Sequence, residues 1–100
     1  GMTHQQMGDA VLYQNRPNPF NEETTISYYL PWSGQIELSV YNMQGQKWVI
    51  PVSQSQSAGE HEVVVDGNIL SPGIYVYKLT YLNKRTHNYQ SLMKKMTIVK

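Results

Sequence analysis

The sequence predicts an all-β fold, a seven-stranded antiparallel Ig-like β-sandwich. Short runs of alternating apolar and polar residues recur along the 100 residues, and glycine, proline or asparagine separates each run from the next. The aromatic residues are mainly the eight tyrosines, which favour a pleated, half-buried surface. No segment of helical period is long enough to form a stable helix. The runs are therefore expected to pair with one another and to pack as two sheets.

The first predicted strands flank a loop that is rich in proline and asparagine. A short apolar segment at residues 11–13 runs into residues 14–21, where prolines and asparagines favour turns over regular pairing. Residues 24–30 and 35–41 alternate with period two, so each is predicted to turn one apolar face to the core. The second of them shows the cleaner alternation, with an apolar face of Ile36, Leu38 and Val40.

A hairpin and an edge strand are predicted next. Residues 42–45 form the hairpin connection, with Gly45 available for a positive φ. Residues 46–52 form the following strand, in which Pro51 cannot donate a backbone hydrogen bond and therefore indicates a sheet edge or an end of pairing. The small and polar residues 53–59 are predicted to be a loop.

The second half of the chain supplies the remaining strands. Residues 60–66 alternate as a strand, and a break after them leads to residues 74–81, which we expect to be the most buried strand of this half. The polar residues 83–88 predict a hairpin loop. Residues 89–99 form the last strand, in which one face is predicted to consist of Leu92, Met96 and Ile98.

Composition bounds the domain organisation and excludes several classes of protein. One domain is predicted over residues 11–100, after a loose lead-in at residues 1–10 in which Gly1 before Met2 resembles the remnant of a removed purification tag. The chain contains no cysteine, which excludes a disulfide framework and a thiol nucleophile. No apolar run approaches the ~20 residues of a membrane-spanning helix, so no membrane insertion is predicted.

Charge is divided between two parts of the chain. The formal net charge is +1, but residues 1–66 contain seven acids and two bases, whereas residues 67–100 contain six bases and no acid. The basic part favours a partner that carries negative charge. Because the cations are interleaved through strands and a loop, and the pI is about 8.2, no nucleic acid is predicted as that partner.

The titratable side chains do not predict a catalytic site or a metal site. His4, His61 and His87 lack the spacing of a metal motif. Glu60 and Glu62 share a strand face about 6–7 Å apart, a separation that glycosidases use, but acids on an exposed strand face are the ordinary explanation. The sequence has neither a nucleophile elbow nor a glycine-rich phosphate loop. We therefore expect no catalytic residue, no bound metal and no cofactor.

The two tryptophans leave one alternative function open. Trp32 lies in a predicted turn and Trp48 in a predicted strand. Packing of both indoles into the ends and faces of the core is the favoured interpretation. If both are instead exposed in one groove, the domain is a candidate carbohydrate-binding module. A passive Ig-like adhesive module is the remaining alternative.

Four segments occur in an order that is typical of one protein family. They are residues 12–21 with 24–26, residues 40–46, residues 58–61 with 66–67 and 70–79, and residues 94–100. Together they resemble the type A C-terminal sorting domains of the type IX (Por) secretion system of Gram-negative bacteria. The motif residues outside the last segment are Pro17, Asn18, Pro19, Phe20, Asn21, Gly45, Gly59, Asp66 and Gly67. Asn42 and Gln46 depart from the family pattern, in which an acidic and a basic residue are more usual.

The resemblance implies a non-enzymatic secretion signal at the C-terminus of a larger cargo protein. Such a cargo crosses the inner membrane with its own N-terminal signal peptide, and the sorting domain then directs it through the outer membrane to the cell surface or the medium. The implied partners are the type IX secretion machinery, the upstream cargo domain and a sortase-like protease, which removes the domain and can attach the cargo to an anionic lipopolysaccharide. The family's secretion-signal elements fall on Gly73, Ile74, Tyr75, Lys95, Met96, Thr97, Ile98, Val99 and Lys100.

The physical properties of the last strand agree with a role in recognition. A terminal strand at a sheet edge would offer unpaired backbone groups to which a receptor can add a strand. The acid-free part of the chain would steer the encounter toward an electronegative surface. Lys94, Lys95 and Lys100 also protect such an edge from aggregation, and the sequence does not separate the two roles.

Overall fold

The computed structural model describes residues 8–100, without the side chains of residues 49–51. The predicted tag remnant, most of the predicted lead-in and His4 lie outside the described residues. Within this range the structure contains seven strands. They are β1 Val11–Leu12, β2 Glu23–Leu30, β3 Gly34–Asn42, β4 Lys47–Gln56, β5 Gly59–Asp66, β6 Gly73–Asn83 and β7 Tyr89–Ile98. A 3-10 turn over Gly67–Ile69 joins β5 to β6.

The strands form two antiparallel sheets, as the sequence predicts. One sheet has three strands in the order β1-β2-β5, and the other has four in the order β4-β3-β6-β7. The four-stranded sheet therefore has β4 and β7 at its edges, which confirms the edge position that Pro51 indicates for β4. Across residues 8–100 no helix is long and apolar enough to span a membrane.

The core lies between the inner faces of the two sheets. Every second residue of the long strands points inward, and the faces predicted for β2, β3 and β7 are the buried ones. On β6 the buried side chains are Tyr75, Tyr77, Leu79, Tyr81 and Asn83, so β6 is the most buried strand of its half. Three tyrosines in one strand each require a hydrogen-bond partner for the phenol. Their hydroxyl groups donate to the backbone carbonyls of Ser71, Tyr13 and Trp32.

The end of β4 differs from the prediction. The sequence predicts a loop over residues 53–59, but β4 continues to Gln56, and Ser53–Gln56 pairs with the first residues of β3. This part of an edge strand carries only serine and glutamine, so it lacks the hydrophobic alternation by which strands are identified. The register of β3 with β4 shifts between Glu37 and Ser39. This shift lies opposite Pro51, which has no N–H to donate.

The two tryptophans also differ from the favoured interpretation. Both are half-exposed, Trp32 at 41% and Trp48 at 50%, because one lies in the turn before β3 and the other on the edge strand β4. They do not share a groove. Trp48 pairs with Val40 near the end of β3, and the six residue-to-residue steps from Gly34 to Val40 span about 20 Å.

Candidate recognition surface

The two segments that carry the expected secretion-signal elements are neighbours in the four-stranded sheet. In the register of β6 with β7, Gly73 pairs with Ile98, Ile74 with Thr97, and Tyr75 with Met96. Residues separated by more than 20 positions in the sequence therefore form one continuous strip. The structure brings these elements together at the end of the sandwich where β6 begins and β7 ends.

The proline-rich loop before β2 lies against the outer edge of this strip. The backbone N–H of Phe20 donates to the carbonyl of Thr97 at 3.0 Å, and the N–H of Val99 donates to the carbonyl of Phe20 at 2.9 Å. The N–H of Thr97 donates to Oδ1 of Asn18 at 2.9 Å. These bonds form a parallel bridge between Phe20 and Ile98. The loop thus supplies hydrogen-bond partners for backbone groups of β7 that would otherwise be unpaired at the sheet edge.

The same loop is anchored in the core by Phe20 and Gly67. The Phe20 side chain is 3% exposed, and a Cβ at Gly67 would lie 3.0 Å from its ring and 2.9 Å from the carbonyl oxygen of Asn21. Only glycine allows that approach. The Gly67 N–H also donates to the carbonyl of Glu22 at 2.7 Å. The motif residues on the loop and on the 3-10 turn therefore form a single packed contact.

The other motif residues have local roles at turns. Asp66 accepts a hydrogen bond from the N–H of Asn68 and so caps the 3-10 turn. Gly45 has a φ of +86° in the β3–β4 hairpin, a conformation that other residues adopt rarely. Gly59 begins β5, while Pro17 and Pro19 each follow a cis peptide bond.

A buried polar network supports the loop from inside the sandwich, and it was not predicted from the sequence. The phenol of Tyr77 accepts a hydrogen bond from the N–H of Asn15 and donates one to the carbonyl of Tyr13, both at 2.8 Å. Burial raises the pKa of the Tyr77 phenol, although the bond from Asn15 opposes the shift, so the proton that it donates is retained. The Asn15 side chain donates to Pro17 and Thr24. An asparagine beside two prolines suggests only a turn, so the sequence contains no signal for its burial.

The expected signal residues divide into a buried set and an exposed set. Tyr75, Met96 and Ile98 are at most 6% exposed, so they build the core and cannot contact a partner. Ile74 and Val99 are each 48% exposed. The other members that solvent reaches are Gly73, Lys95, Thr97 and Lys100. A partner that binds the folded domain can therefore contact only the side chains of the exposed set.

Part of the outer edge of β7 has no backbone hydrogen-bond partner among the described residues, although β1 lies close to this strand. Because the N–H and C=O of Thr97 both bond to the proline-rich loop, they point away from β6. The pairing of β6 with β7 has no register shift, so the same groups of every second residue, Lys95, Met93 and Ser91, point the same way. The carbonyl of Lys95 accepts a bond from Nε2 of Gln14 at 2.6 Å. Among the described residues, the remaining outward groups of Ser91, Met93 and Lys95 have no backbone partner.

Charge separates between the two sheets. Strands β6 and β7 carry Lys78, Lys94 and Lys95 and no acid, whereas β1, β2 and β5 carry four acids and no base. The one acid of β3, Glu37, is paired with Lys47 at 2.7 Å. The pKa of the Glu37 carboxyl is lowered, first by the hydrogen bond from Lys47 and second by the hydrogen bond from Ser39. The open edge of β7 therefore lies in the cationic part of the molecule.

Comparison with known protein families matches residues 16–98 to the secretion system C-terminal sorting domain. The chain belongs to this family. Neither the curated proteins nor the solved structures contain a match to it. As a type IX sorting domain it is a signal for secretion or export to the cell surface, and it interacts with the secretion machinery and an upstream cargo domain. The family is not known for catalysis.

The other titratable candidates among the described residues lie on β5 and in the β6–β7 hairpin. Within residues 8–100, no group of three or more His, Cys, Asp or Glu side chains could hold a metal ion. Glu60 and Glu62 line a groove together with Tyr13 and Arg16. The ring of His61 stacks on the ring of Tyr28, with the two ring centroids 5.4 Å apart. His87 lies in the β6–β7 hairpin.

Replacing Phe20 by alanine is expected to destabilise the sorting domain by about 3–5 kcal/mol, as for other buried phenylalanines. The backbone bonds to β7 can persist, but the ring that packs on Gly67 is lost. Denaturant unfolding would measure the change. Val99→Ala is the matched control, because Val99 bonds to Phe20 through its backbone while its side chain is half-exposed, and we expect it to cost within about 0.5 kcal/mol. Equal effects of the two substitutions would show that the loop is not anchored by its ring.

Proposed function

We propose that the type IX machinery reads this sorting domain in its folded state, by adding a strand to the outer edge of β7 at residues 91–95. The observation that supports the proposal is the direction of the β7 backbone. The loop occupies the edge at residues 97–99, while the outward backbone groups of Ser91 and Met93 and the N–H of Lys95 have no backbone partner among the described residues. A strand added there gains main-chain hydrogen bonds, and the exposed side chains beside it supply specificity.

The side chains around the open edge indicate the chemistry of the partner strand. Met93 is 63% exposed and lies between the exposed residues Ser91 and Lys95 on the outer face. Ile74 and Val99 extend this face toward the end of the sandwich. Because β6 and β7 carry no acid, a partner strand with acidic and apolar side chains is complementary to them, and its approach is steered by the same cations.

The later steps of export are proposed from the family resemblance. The sorting domain is of type A, and its cargo reaches the periplasm of a Gram-negative bacterium with an N-terminal signal peptide. A sortase-like protease then removes the domain at the cell surface and attaches the cargo to an anionic lipopolysaccharide. The domain supplies no catalytic group and no cofactor to these steps. The exposed part of the expected signal set, Gly73, Ile74, Lys95, Thr97, Val99 and Lys100, supplies recognition, while Tyr75, Met96 and Ile98 hold the strip in place.

A reporter fusion tests the function. Residues 8–100 are fused to the C-terminus of a reporter that carries a periplasmic signal peptide, and the fusion is produced in a bacterium with a type IX system. We expect the reporter outside the cell, and we expect it in the periplasm when the secretion machinery is deleted. Retention of the fusion in the periplasm of the intact strain, with the domain folded, would contradict the proposal.

A further inference from the structure

A cleft of about 510 Å³ lies beside the secretion-signal strip, between the β3–β4 hairpin and the segment that leads into β6. Its volume is in the range of small-molecule sites. We propose that this cleft binds a neutral saccharide, with Trp48 as the surface on which a sugar ring stacks. The inference goes beyond export: the lining of the cleft includes Gly73 and Ile74 of the strip, but not residues 91–95 of β7.

The chemistry of the cleft lining supports a neutral, polar ligand. None of the residues that line it carries a charged side chain, and the hairpin contributes three amides, Asn42, Gln44 and Gln46. Ser71 adds a hydroxyl group. An ionic ligand would find no opposite charge on these side chains, and the charged group beside them, the ammonium of Lys100, already donates to the carbonyl of Leu70 at 3.1 Å. A purely apolar ligand would cover amides without pairing them, which costs free energy.

Trp48 provides the apolar surface that a sugar ring requires. Its side chain is 50% exposed, and it lies on the edge strand β4, which pairs only with β3 among the described strands. A pyranose has one or two faces of C–H groups and a rim of hydroxyl groups. An indole beside several amides matches that combination, because the ring face stacks while the rim donates and accepts hydrogen bonds.

The hairpin holds two of the amides in place before a ligand arrives. Oδ1 of Asn42 accepts hydrogen bonds from the N–H groups of Gln44 at 3.0 Å and Gln46 at 2.8 Å. Nδ2 of Asn42 donates to Oε1 of Gln46, which leaves the Nε2 group of Gln46 as a donor for the ligand. Because the hairpin is ordered by these bonds, less conformational entropy is lost when a ligand binds.

Titration of the sorting domain with defined oligosaccharides tests the inference. The probes are maltotetraose, cellotetraose and chitotetraose, with tetragalacturonate as an anionic counterpart, and binding is followed by calorimetry. We expect at least one neutral probe to bind saturably and tetragalacturonate to bind more weakly. Trp48→Ala should weaken binding about tenfold or more, equivalent to about 1.4 kcal/mol. Gln44→Ala, at an exposed hairpin position, should weaken it by a smaller factor.

Trp32→Ala is the matched control, because Trp32 is similarly exposed at 41% but lies under the guanidinium of Arg85 at the other end of β3. We expect it to bind the probes like the parent. The inference would be overturned if no neutral probe bound, if Trp48→Ala bound as well as the parent, or if both tryptophan variants lost binding equally. Preferred binding of tetragalacturonate would overturn it too. None of these outcomes affects the export of a reporter fusion, so the two proposals fail separately.

Discussion

Removal of residues 96–100 is expected to unfold the sorting domain, and not only to silence its signal. Met96 and Ile98 are 0% and 2% exposed, and their strand pairs with β6 on one side and with the Phe20 loop on the other. Loss of each of these two side chains costs about 2–5 kcal/mol, in a domain whose total stability is expected to be about 5–15 kcal/mol. Thermal unfolding followed by circular dichroism should therefore show no cooperative transition.

Removal of Lys100 alone is the matched control for this truncation. The Lys100 side chain is exposed and donates one hydrogen bond, to the carbonyl of Leu70 at 3.1 Å, so we expect the cooperative transition to persist with a change within about 1 kcal/mol. A cooperative transition in the domain that lacks residues 96–100 would contradict the assignment of these residues to the core. It follows that loss of export after truncation cannot be attributed to a lost signal alone.

Much of the sandwich could be predicted from the sequence because strand periodicity depends on local chemistry. The inner faces of β2, β3 and β7 were predicted correctly, and the alternating strand predicted over residues 60–66 is confirmed as β5, where Val63 and Val65 are less exposed than their neighbours. Each of these strands turns one side to the core and one to solvent, so its own residues show the pattern. The end of β4 could not be predicted, since serine and glutamine have no apolar face.

The recognition surface could be predicted only in part, because it depends on contacts between distant residues. The family resemblance identifies Gly73 and Lys95 as signal residues, but neither segment contains residues that show the two segments to be neighbours in one sheet. The bridge from Phe20 to β7 is made by backbone groups. Because nearly every residue carries the same backbone donor and acceptor, the residue types do not predict these bonds. For this reason the end of the terminal strand, which the sequence leaves as a candidate for strand addition, is occupied by the loop at residues 97–99, and the part without backbone partners lies earlier in β7.

In the structure, the acidic and the basic parts of the chain lie largely on different sheets. The acids of the first part lie largely on the three-stranded sheet, while β6 and β7 carry only bases. A net charge of +1 therefore conceals two surfaces of opposite sign. Such a separation orients a molecule in the field of a charged partner, and here it directs the open edge of β7 toward that partner.

The central claim, that the machinery adds a strand to β7 of the folded domain, is tested most directly by two substitutions at Met93. In the reporter fusion, Met93→Pro removes an N–H that points away from β6, and an edge strand tolerates proline at such a position. Met93→Ala removes the side chain and keeps the N–H. Ser91→Pro likewise removes a backbone N–H of β7 that points away from β6.

The measured quantity is the fraction of reporter outside the cell, compared among fusions whose domains unfold cooperatively at similar temperatures. We expect the Met93→Ala fusion, which loses a side-chain contact but keeps the N–H, to be exported clearly better than the Met93→Pro fusion, and we expect the Met93→Pro and Ser91→Pro fusions to stay in the periplasm with folded domains. Export of both folded proline variants at the level of the parent would contradict strand addition at this edge.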